Sequence, residues 1–206
     1  MRDAARPSPV PGAAAPGLLS PSGPAGALGL SSGEAAVMLM DGTARRLWGA
    51  WLCPGATPAD QAERTRLLAH VLEGRAPADA VVCVESAAWA WLGGPPPPVA
   101  TVRVRRFHRS MAASDPPLRA VDGLPPERHI GLLHGVRLTT PLRTAVELLG
   151  ARPERRADAV GSVTRLLRAA GAEEAQEPPA EALEGFGPVV RARIREGWAA
   201  RLQAFR

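Results

Sequence analysis

The stretch GVRLTTPLRTAVELL, residues 135–149, contains a strand, a helix cap and a helix body in immediate succession. Thr140 is expected to cap the helix, because a threonine hydroxyl accepts a hydrogen bond from a backbone N–H of the first helical turn. Pro141 suits the first helical position, where its missing N–H costs nothing. The helix body is predicted over residues 143–149, and Gly150 is expected to end it.

Two strand-forming segments are predicted upstream of this helix. Residues 130–138 indicate two short strands around a turn at residues 134–135. Residues 99–107 alternate apolar and basic side chains, which is typical of a half-buried strand with Arg103 and Arg105 on its outer face. Both segments are assigned to a small mixed α/β core.

A short helix is predicted between residues 87 and 92. An apolar run at residues 81–84 leads into Ser86, which is expected to cap this helix. The glycines and prolines of residues 93–98 stop it. Residues 111–128 lack a clear period and are predicted to form a loop.

The first ordered element is predicted to be a β-hairpin. Residues 37–40 and 43–52 are its expected strands, and Asp-Gly at residues 41–42 is its tight turn, because this pair readily adopts positive φ angles. A helix is expected next, with Thr57 as its cap and Gly74 as its end.

The chain is predicted to be an α+β protein organised in four segments. A disordered head covers residues 1–32, since its Pro, Gly and Ala cannot bury enough apolar surface to offset the entropy of ordering. A wing-like hairpin over residues 33–56 precedes the core over residues 57–170. A connector and a helix follow over residues 171–206. The C-terminal helices are expected at residues 153–170 and 180–204.

Arginine carries the basic charge of the chain. The sequence contains no Lys, Asn or Tyr and has a formal net charge of +5. Without Lys it has no Schiff-base lysine, no P-loop lysine and no terminal lysine of a PD-(D/E)xK nuclease. The planar guanidinium of Arg can bind phosphate and carboxylate alike. The charge alone therefore does not distinguish between nucleic acid and an acidic protein as the partner.

The cysteines and the hydropathy indicate the compartment. Cys53 and Cys83 lack the spacing of a metal site or of a disulfide framework, which favours a reducing environment. No apolar run is long enough for a membrane-spanning helix. A cytoplasmic protein that uses no membrane, metal or cofactor is therefore expected.

Catalysis is the less favoured hypothesis. A hydrolase would need Ser86 or a pair of histidines in a nucleophile–base arrangement. The sequence has no GxSxG elbow and no HExxH spacing, and capping accounts for the Ser86 hydroxyl. The chain is therefore not expected to be an enzyme.

Five arginines are candidates for contact with nucleic acid phosphates. They fall on the predicted hairpin and on the predicted strand face, where a row of cations could follow a phosphate backbone. A solvated face of an arginine-rich protein would have the same pattern, so both interpretations stay open. The candidates are Arg45, Arg46, Arg103, Arg105 and Arg106.

Three motifs in a fixed order resemble the AbiEi family of antitoxin-like proteins. They are ARRLWGAW at residues 44–51, VVCVESAAW at residues 81–89 and the stretch at residues 135–149. The resemblance covers residues 37–170, and its most specific parts are the Ser-Ala-Ala helix start and the Thr-Thr-Pro-x-Arg-Thr segment. Its motif residues are Ser86, Thr139, Thr140, Pro141, Arg143 and Thr144.

This resemblance implies an α+β antitoxin of a type IV toxin–antitoxin system. Such a protein pairs with a nucleotidyltransferase-type toxin encoded nearby and represses its own operon through an N-terminal winged helix that binds DNA. Residues 1–36 are too rich in Pro and Gly for the helices of that module, so a winged helix truncated to its wing is expected. An antitoxin-like regulatory or interaction protein is the leading hypothesis, and a non-enzymatic DNA-binding protein is the alternative.

Overall fold

The computed structural model describes residues 31–49, 51–55, 58–106, 115–151 and 160–204. These residues form an α+β fold, as predicted, with six α-helices and seven strands. The helices are α1 (Ser32–Met40), α2 (Gln61–Leu72), α3 (Val84–Leu92), α4 (Pro141–Leu149), α5 (Val160–Ala169) and α6 (Pro188–Ala204). The strands are β1 (Ala44–Trp48), β2 (Trp51–Pro54), β3 (Val81–Val82), β4 (Ala100–Val104), β5 (Leu118–Asp122), β6 (Ile130–Leu133) and β7 (Val136–Thr139). Short 3₁₀ helices occupy Glu127–His129 and Ala180–Leu183.

The chain divides into two compact units. Residues 1–46 and 50–56 make up the first unit, and residues 47–49 and 57–206 make up the second. In the first unit, Ala35 of α1, Ala44 of β1 and Leu52 of β2 form a small buried cluster. The strands β1 and β2 pair with each other as a two-stranded sheet.

The strand predicted at residues 37–40 is wrong, because these residues form the second half of α1. A capping box starts this helix. The Ser31 hydroxyl accepts a hydrogen bond from the Glu34 N–H at 3.2 Å, and the Glu34 carboxylate accepts one from the Ser31 N–H at 2.8 Å. Residues 41–42 therefore follow the end of a helix. The hairpin is made of β1 and β2, so it starts inside the predicted second strand and extends past its predicted end to Pro54.

The second unit contains a five-stranded mixed sheet with the strand order β5-β4-β3-β7-β6. The central strand β3 is antiparallel to β4 and parallel to β7. Strand β5 runs parallel to β4, with Leu118 opposite Ala100. The predicted hairpin of β6 and β7 is confirmed, and its turn places His134 at φ 45° and Gly135 at φ 85°.

One hydrophobic core cluster of the second unit lies around α4, which packs against α3, α5 and α6. Gly150, at the end of α4, allows α6 to approach closely, since a Cβ at this position would lie 3.1 Å from the Val190 side chain. The largest buried side chains of this core include Leu148, Leu149, Leu166, Leu167, Ile194 and Trp198.

The transition from strand to helix at residues 135–149 is confirmed. Strand β7 ends at Thr139, and Pro141 is the first residue of α4. Between them, the Thr140 hydroxyl accepts a hydrogen bond from the Arg143 N–H at 3.4 Å. Gly150 occupies the C-cap position, as predicted.

The cap predicted for α2 is wrong in position. Asp60 is the cap, and its carboxylate accepts a hydrogen bond from the Glu63 N–H at 2.7 Å in a capping box. Thr57, the predicted cap, lies outside the described residues. The expected end is confirmed, since α2 stops at Leu72 and Gly74 follows at φ 66°.

The cap predicted for α3 is also wrong, because α3 starts at Val84 and Ser86 lies inside it. The buried Ser86 hydroxyl accepts a hydrogen bond from the Thr101 N–H at 2.9 Å and donates toward the Val99 carbonyl at 3.4 Å. A contact between α3 and β4 therefore accounts for this hydroxyl, which is a tertiary interaction that local spacing does not reveal.

Two further segments differ from the prediction. The predicted loop at residues 111–128 contains β5, while residues 111–114 lie outside the described chain. The helix predicted at residues 153–170 is α5, and residues 153–159 lie outside the description. The helix predicted at residues 180–204 is interrupted, since Gly185 adopts φ 75° between the second 3₁₀ helix and α6.

The predicted disordered head, residues 1–32, lies outside the described residues except for residues 31–32, which belong to the start of α1. The boundaries proposed at residues 33, 57 and 171 stay predictions. In the described parts of the chain, none of the helices combines the length and the apolar character that a membrane crossing requires.

Ser86→Ala is expected to lower the free energy of unfolding by about 1–3 kcal/mol, because the buried Thr101 N–H loses its partner. Urea denaturation followed by circular dichroism measures this change. Thr164→Ala is the matched control and should have little effect, since the Thr164 hydroxyl bonds the Val160 carbonyl within α5. Equal losses in both variants would contradict the role assigned to Ser86.

Candidate functional site

A buried carboxylate lies at the centre of the second unit. Glu147 of α4 has a side chain that is only 1% exposed. One of its carboxylate oxygens accepts hydrogen bonds from the Arg103 Nε at 2.8 Å and from the Arg143 Nε at 3.4 Å. The other oxygen accepts the Val84 N–H at 3.1 Å. These bonds offset the cost of burying the charge, and they join β4, α4 and the start of α3.

Arg143 extends this cluster toward the C-terminal part of the chain. Its Nη1 donates to the carbonyls of Ala182 at 3.1 Å and Glu184 at 2.6 Å. Its Cζ also lies 3.9 Å from the centre of the Phe186 ring. Burial lowers the pKa of the Arg143 guanidinium, while Glu147 acts in the opposite direction. Arginine still keeps its charge at neutral pH, so the cluster contains two cations and one anion.

Cys83 and Val84 lead into α3 beside Glu147. Burial raises the pKa of the Cys83 thiol well above its usual value, and the nearby Glu147 adds to this effect. The thiol is therefore neutral at physiological pH and unsuited to nucleophilic attack. Val84 adopts φ 53°, a left-handed conformation that is strained for a β-branched residue. Its hydrogen bond to Glu147 helps to hold this conformation.

An open cleft lies next to the Glu147 cluster and consists of two adjacent hollows. The larger has a volume of about 640 Å³ and the smaller about 440 Å³. The two share Glu85, Arg119 and Ala151. We call this surface the Arg119 cleft. The larger hollow is bounded by residues 93–99 and by Trp89, Leu148, Ser162 and Arg165, and the smaller by Val84, Arg103, Glu147, Gly150, Phe186 and Val190.

Arg119 lies at the junction of the two hollows. Its Nη2 donates to the Thr101 hydroxyl at 3.1 Å and lies 3.8 Å from a carboxylate oxygen of Glu85. The Arg119 side chain is 44% exposed, so its guanidinium can be reached from solvent. This half-exposed cation, placed between apolar walls, makes the cleft suited to binding an amphipathic anionic group.

The candidate arginines for nucleic acid contact fall into two sets. Arg45 and Arg46 lie on β1 in the first unit, where Arg46 is exposed and Arg45 is half-buried. Arg103, Arg105 and Arg106 belong to the second unit. Nucleic acid binding by these residues stays a prediction.

The structure corrects the prediction that Arg103 and Arg105 form a basic outer face on the strand at residues 99–107. Arg103 is only 16% exposed and forms its ion pair with Glu147, because α4 places a carboxylate against β4. Arg105 is 80% exposed and lies 3.7 Å from Asp79. Arg106, after the end of β4, is exposed. Of the three arginines in this segment, only Arg105 and Arg106 therefore present their guanidinium groups on the surface.

The motif residues that carry the family resemblance are structural in this chain. The hydroxyls of Thr139 and Thr144 lie 2.8 Å apart, and both residues are fully buried. Thr140 and Pro141 start α4, while Arg143 forms the interactions with Glu147 and Phe186. The motif thus shapes the start of α4, and its Arg143 reaches two residues that line the Arg119 cleft.

The groups considered for catalysis or metal binding are placed unfavourably for those roles. Ser86 is fully buried and its hydroxyl is engaged with β4. The buried His129 lies with its Nε2 at 2.7 Å from the Glu181 carbonyl. Among the described residues, no three His, Cys, Asp or Glu side chains are grouped closely enough to hold a metal ion.

Sequence reasoning missed Glu147, Glu85, Arg119 and Arg165. A signal for Glu147 was present, since it follows Arg143 by four residues on an apolar helix, which is the spacing of an intrahelical ion pair. No comparable signal marked Arg119, because the cleft assembles residues from five separate parts of the chain.

Searches of protein-family models, curated proteins and solved structures found no match to the chain.

Glu147→Gln is expected to lower the free energy of unfolding by about 3–5 kcal/mol, because Arg103 and Arg143 then lose the buried carboxylate that balances them. Chemical denaturation measures the loss. Glu173→Gln is the matched control, since Glu173 pairs with the largely exposed Arg168, and little change is expected there. If the two variants are equally stable, Glu147 does not organise the second unit.

Val84→Gly is expected to be more stable than Val84→Ala by about 1 kcal/mol, because glycine relieves the left-handed strain and alanine retains it. This order is the reverse of the usual one, in which alanine is favoured within a helix. Thermal and urea denaturation of the two variants decide the point. A more stable alanine variant would show that position 84 is not strained.

Proposed function

We propose that this chain is a cytoplasmic, non-catalytic interaction protein, an antitoxin-like regulator of the kind that the AbiEi resemblance implies. The observation that carries the proposal is that Arg143 of the Thr-Thr-Pro-x-Arg-Thr motif contacts two residues that line an open cleft. Arg143, a motif residue, holds both Glu147 and Phe186, which line the smaller hollow. The resemblance and the cleft are therefore connected through Arg143, which contacts the cleft from below without lining it.

The distribution of polar groups supports binding in preference to chemistry. The Ser86 hydroxyl and the Cys83 thiol are buried, and the Glu147 carboxylate is neutralised by two arginines. These three groups are thus committed to internal contacts. Solvent reaches the half-exposed Glu85 and Arg119 and the exposed Arg165 in the cleft, and these charged groups are suited to contact with a partner.

Co-expression with a nucleotidyltransferase encoded beside this gene tests the proposal. The antitoxin-like role predicts that the chain relieves the growth arrest caused by that protein, whereas the destabilised Glu147→Gln variant relieves it less. Immunoblots should confirm equal expression of wild type and variant. Continued arrest in the presence of folded wild-type protein, or the absence of such a neighbouring gene, would contradict the role.

DNA binding is a second proposed function, favoured by the exposure of Arg46, Arg105 and Arg106. Such exposed arginines can pair with phosphates, and each contact adds to the salt dependence of binding. Arg103 is left out of this set, because its guanidinium is committed to Glu147.

Binding to the DNA upstream of the gene should weaken as salt rises, and Arg105→Ala with Arg106→Ala should reduce the slope of log K against log salt by about one per arginine. Fluorescence anisotropy at several salt concentrations measures the slopes. Arg168→Ala is the control for a lost surface charge, since Arg168 pairs with Glu173. Unchanged slopes in the double variant would exclude these arginines as phosphate contacts.

A further inference from the structure

We infer that the Arg119 cleft binds an extended acidic segment of a partner protein, with a carboxylate at Arg119 and an apolar side chain in each hollow. The inference rests on the proposed role as an interaction protein and deepens it by assigning the surface and the chemistry of the segment that it receives. Three properties of the cleft carry it: rigid apolar walls, a central cation and a positive rim.

The wall of the larger hollow is held in place before any partner arrives. The indole N–H of Trp89 donates to the Gly94 carbonyl at 3.1 Å, and the Trp89 ring lies 4.9 Å from that of Trp48. Trp48 in turn donates to the Pro97 carbonyl at 2.6 Å. Four consecutive prolines, residues 95–98, restrict the rest of this wall. A side chain that enters this hollow therefore orders little of the protein, which favours binding.

The smaller hollow is equally well supported. Phe186 lies under the Arg143 guanidinium at 3.9 Å, and Val190 packs against Gly150 at the end of α4. A Cβ at position 150 would lie 3.1 Å from the Val190 side chain, so the absence of a side chain there fixes the spacing of this wall. The hollow thus presents apolar surface beside the neutralised Glu147 carboxylate.

The charges around the cleft favour an anion. Within the cleft, Glu147 is balanced by Arg103 and by Arg143 beneath it. Among the described residues of the rim, Arg119 and the exposed Arg165 carry positive charge and Glu85 carries the one negative charge. The rim therefore has one positive charge in excess, and the fork of Arg119 offers donors that match a carboxylate.

The same charges favour a peptide over a nucleic acid strand. Consecutive phosphates would place negative charge against the Glu85 carboxylate and along the apolar walls formed by residues 94–99, which contain no cation. An extended peptide alternates its side chains, so one carboxylate can meet Arg119 while the flanking apolar side chains enter the hollows. Charge complementarity and wall chemistry together select an apolar–acidic–apolar segment.

A random peptide library displayed on phage and panned on the full-length chain tests this inference. Peptides that also bind the Arg119→Ala variant are removed by subtraction. The remaining peptides are expected to share an acidic residue flanked by apolar residues. A basic or purely apolar consensus, or a lack of any peptide that depends on Arg119, would overturn the inference.

The selected peptide is then synthesised with a fluorescent label, and its dissociation constant is measured by anisotropy. Replacing its acidic residue by lysine, or Arg119 by alanine, should weaken binding about tenfold. Arg119→Glu should bind the lysine peptide better than the acidic one, a reversal that general damage to the fold would not produce. Arg168→Ala, outside the cleft, should bind like wild type, and circular dichroism confirms folding of each variant.

A single-stranded oligonucleotide serves as the competing probe. If it displaces the acidic peptide and its binding also depends on Arg119, the assignment to a peptide is wrong. The result of the peptide-binding experiments can be distinguished from the result of the growth-arrest experiment that tests the antitoxin-like role. Relief of growth arrest without Arg119-dependent peptide binding would reject the cleft, and acidic peptide binding without relief would reject the antitoxin role.

Discussion

The ion pairs and hydrogen bonds of the buried Glu147 carboxylate hold the elements of the second unit together. It accepts hydrogen bonds from a strand arginine, from an arginine of its own helix and from the backbone where α3 begins. A buried charge is tolerated only when such partners surround it. Removal of any one partner leaves the charge unbalanced and lowers the free energy of unfolding. The orientation of β4, α3 and α4 is thus linked to a single side chain, and the walls of the Arg119 cleft follow from that orientation.

Several of the described arginines act as internal donors to backbone carbonyls. Arg143 and Arg201 each bind two carbonyls, Arg64 does the same, and Arg75 binds that of Pro116. Burial lowers the pKa of each of these four guanidinium groups, yet arginine remains charged at neutral pH. The positive charge of the sequence therefore overstates the charge available for binding nucleic acid.

Local signals predicted the elements whose boundaries are decided locally. The start and end of α4 were predicted from Thr140, Pro141 and Gly150, because a cap needs only neighbouring residues. The strand predicted at residues 37–40 failed because the capping box at Ser31 and Glu34 lies upstream of the apolar run that suggested it. Ser86 and the Arg119 cleft could not be predicted, since their partners lie far away in sequence and are brought together by the sheet.

A double-mutant cycle between Arg103 and Glu147 measures whether this buried ion pair stabilises the second unit. The cycle compares the free energies of unfolding of Arg103→Met, Glu147→Gln and the double variant with that of the wild type. A direct contact at 2.8 Å in a buried setting predicts a coupling energy of about 1–3 kcal/mol. Additive effects of the two substitutions, with no coupling, would show that the two residues do not form the junction on which this account depends.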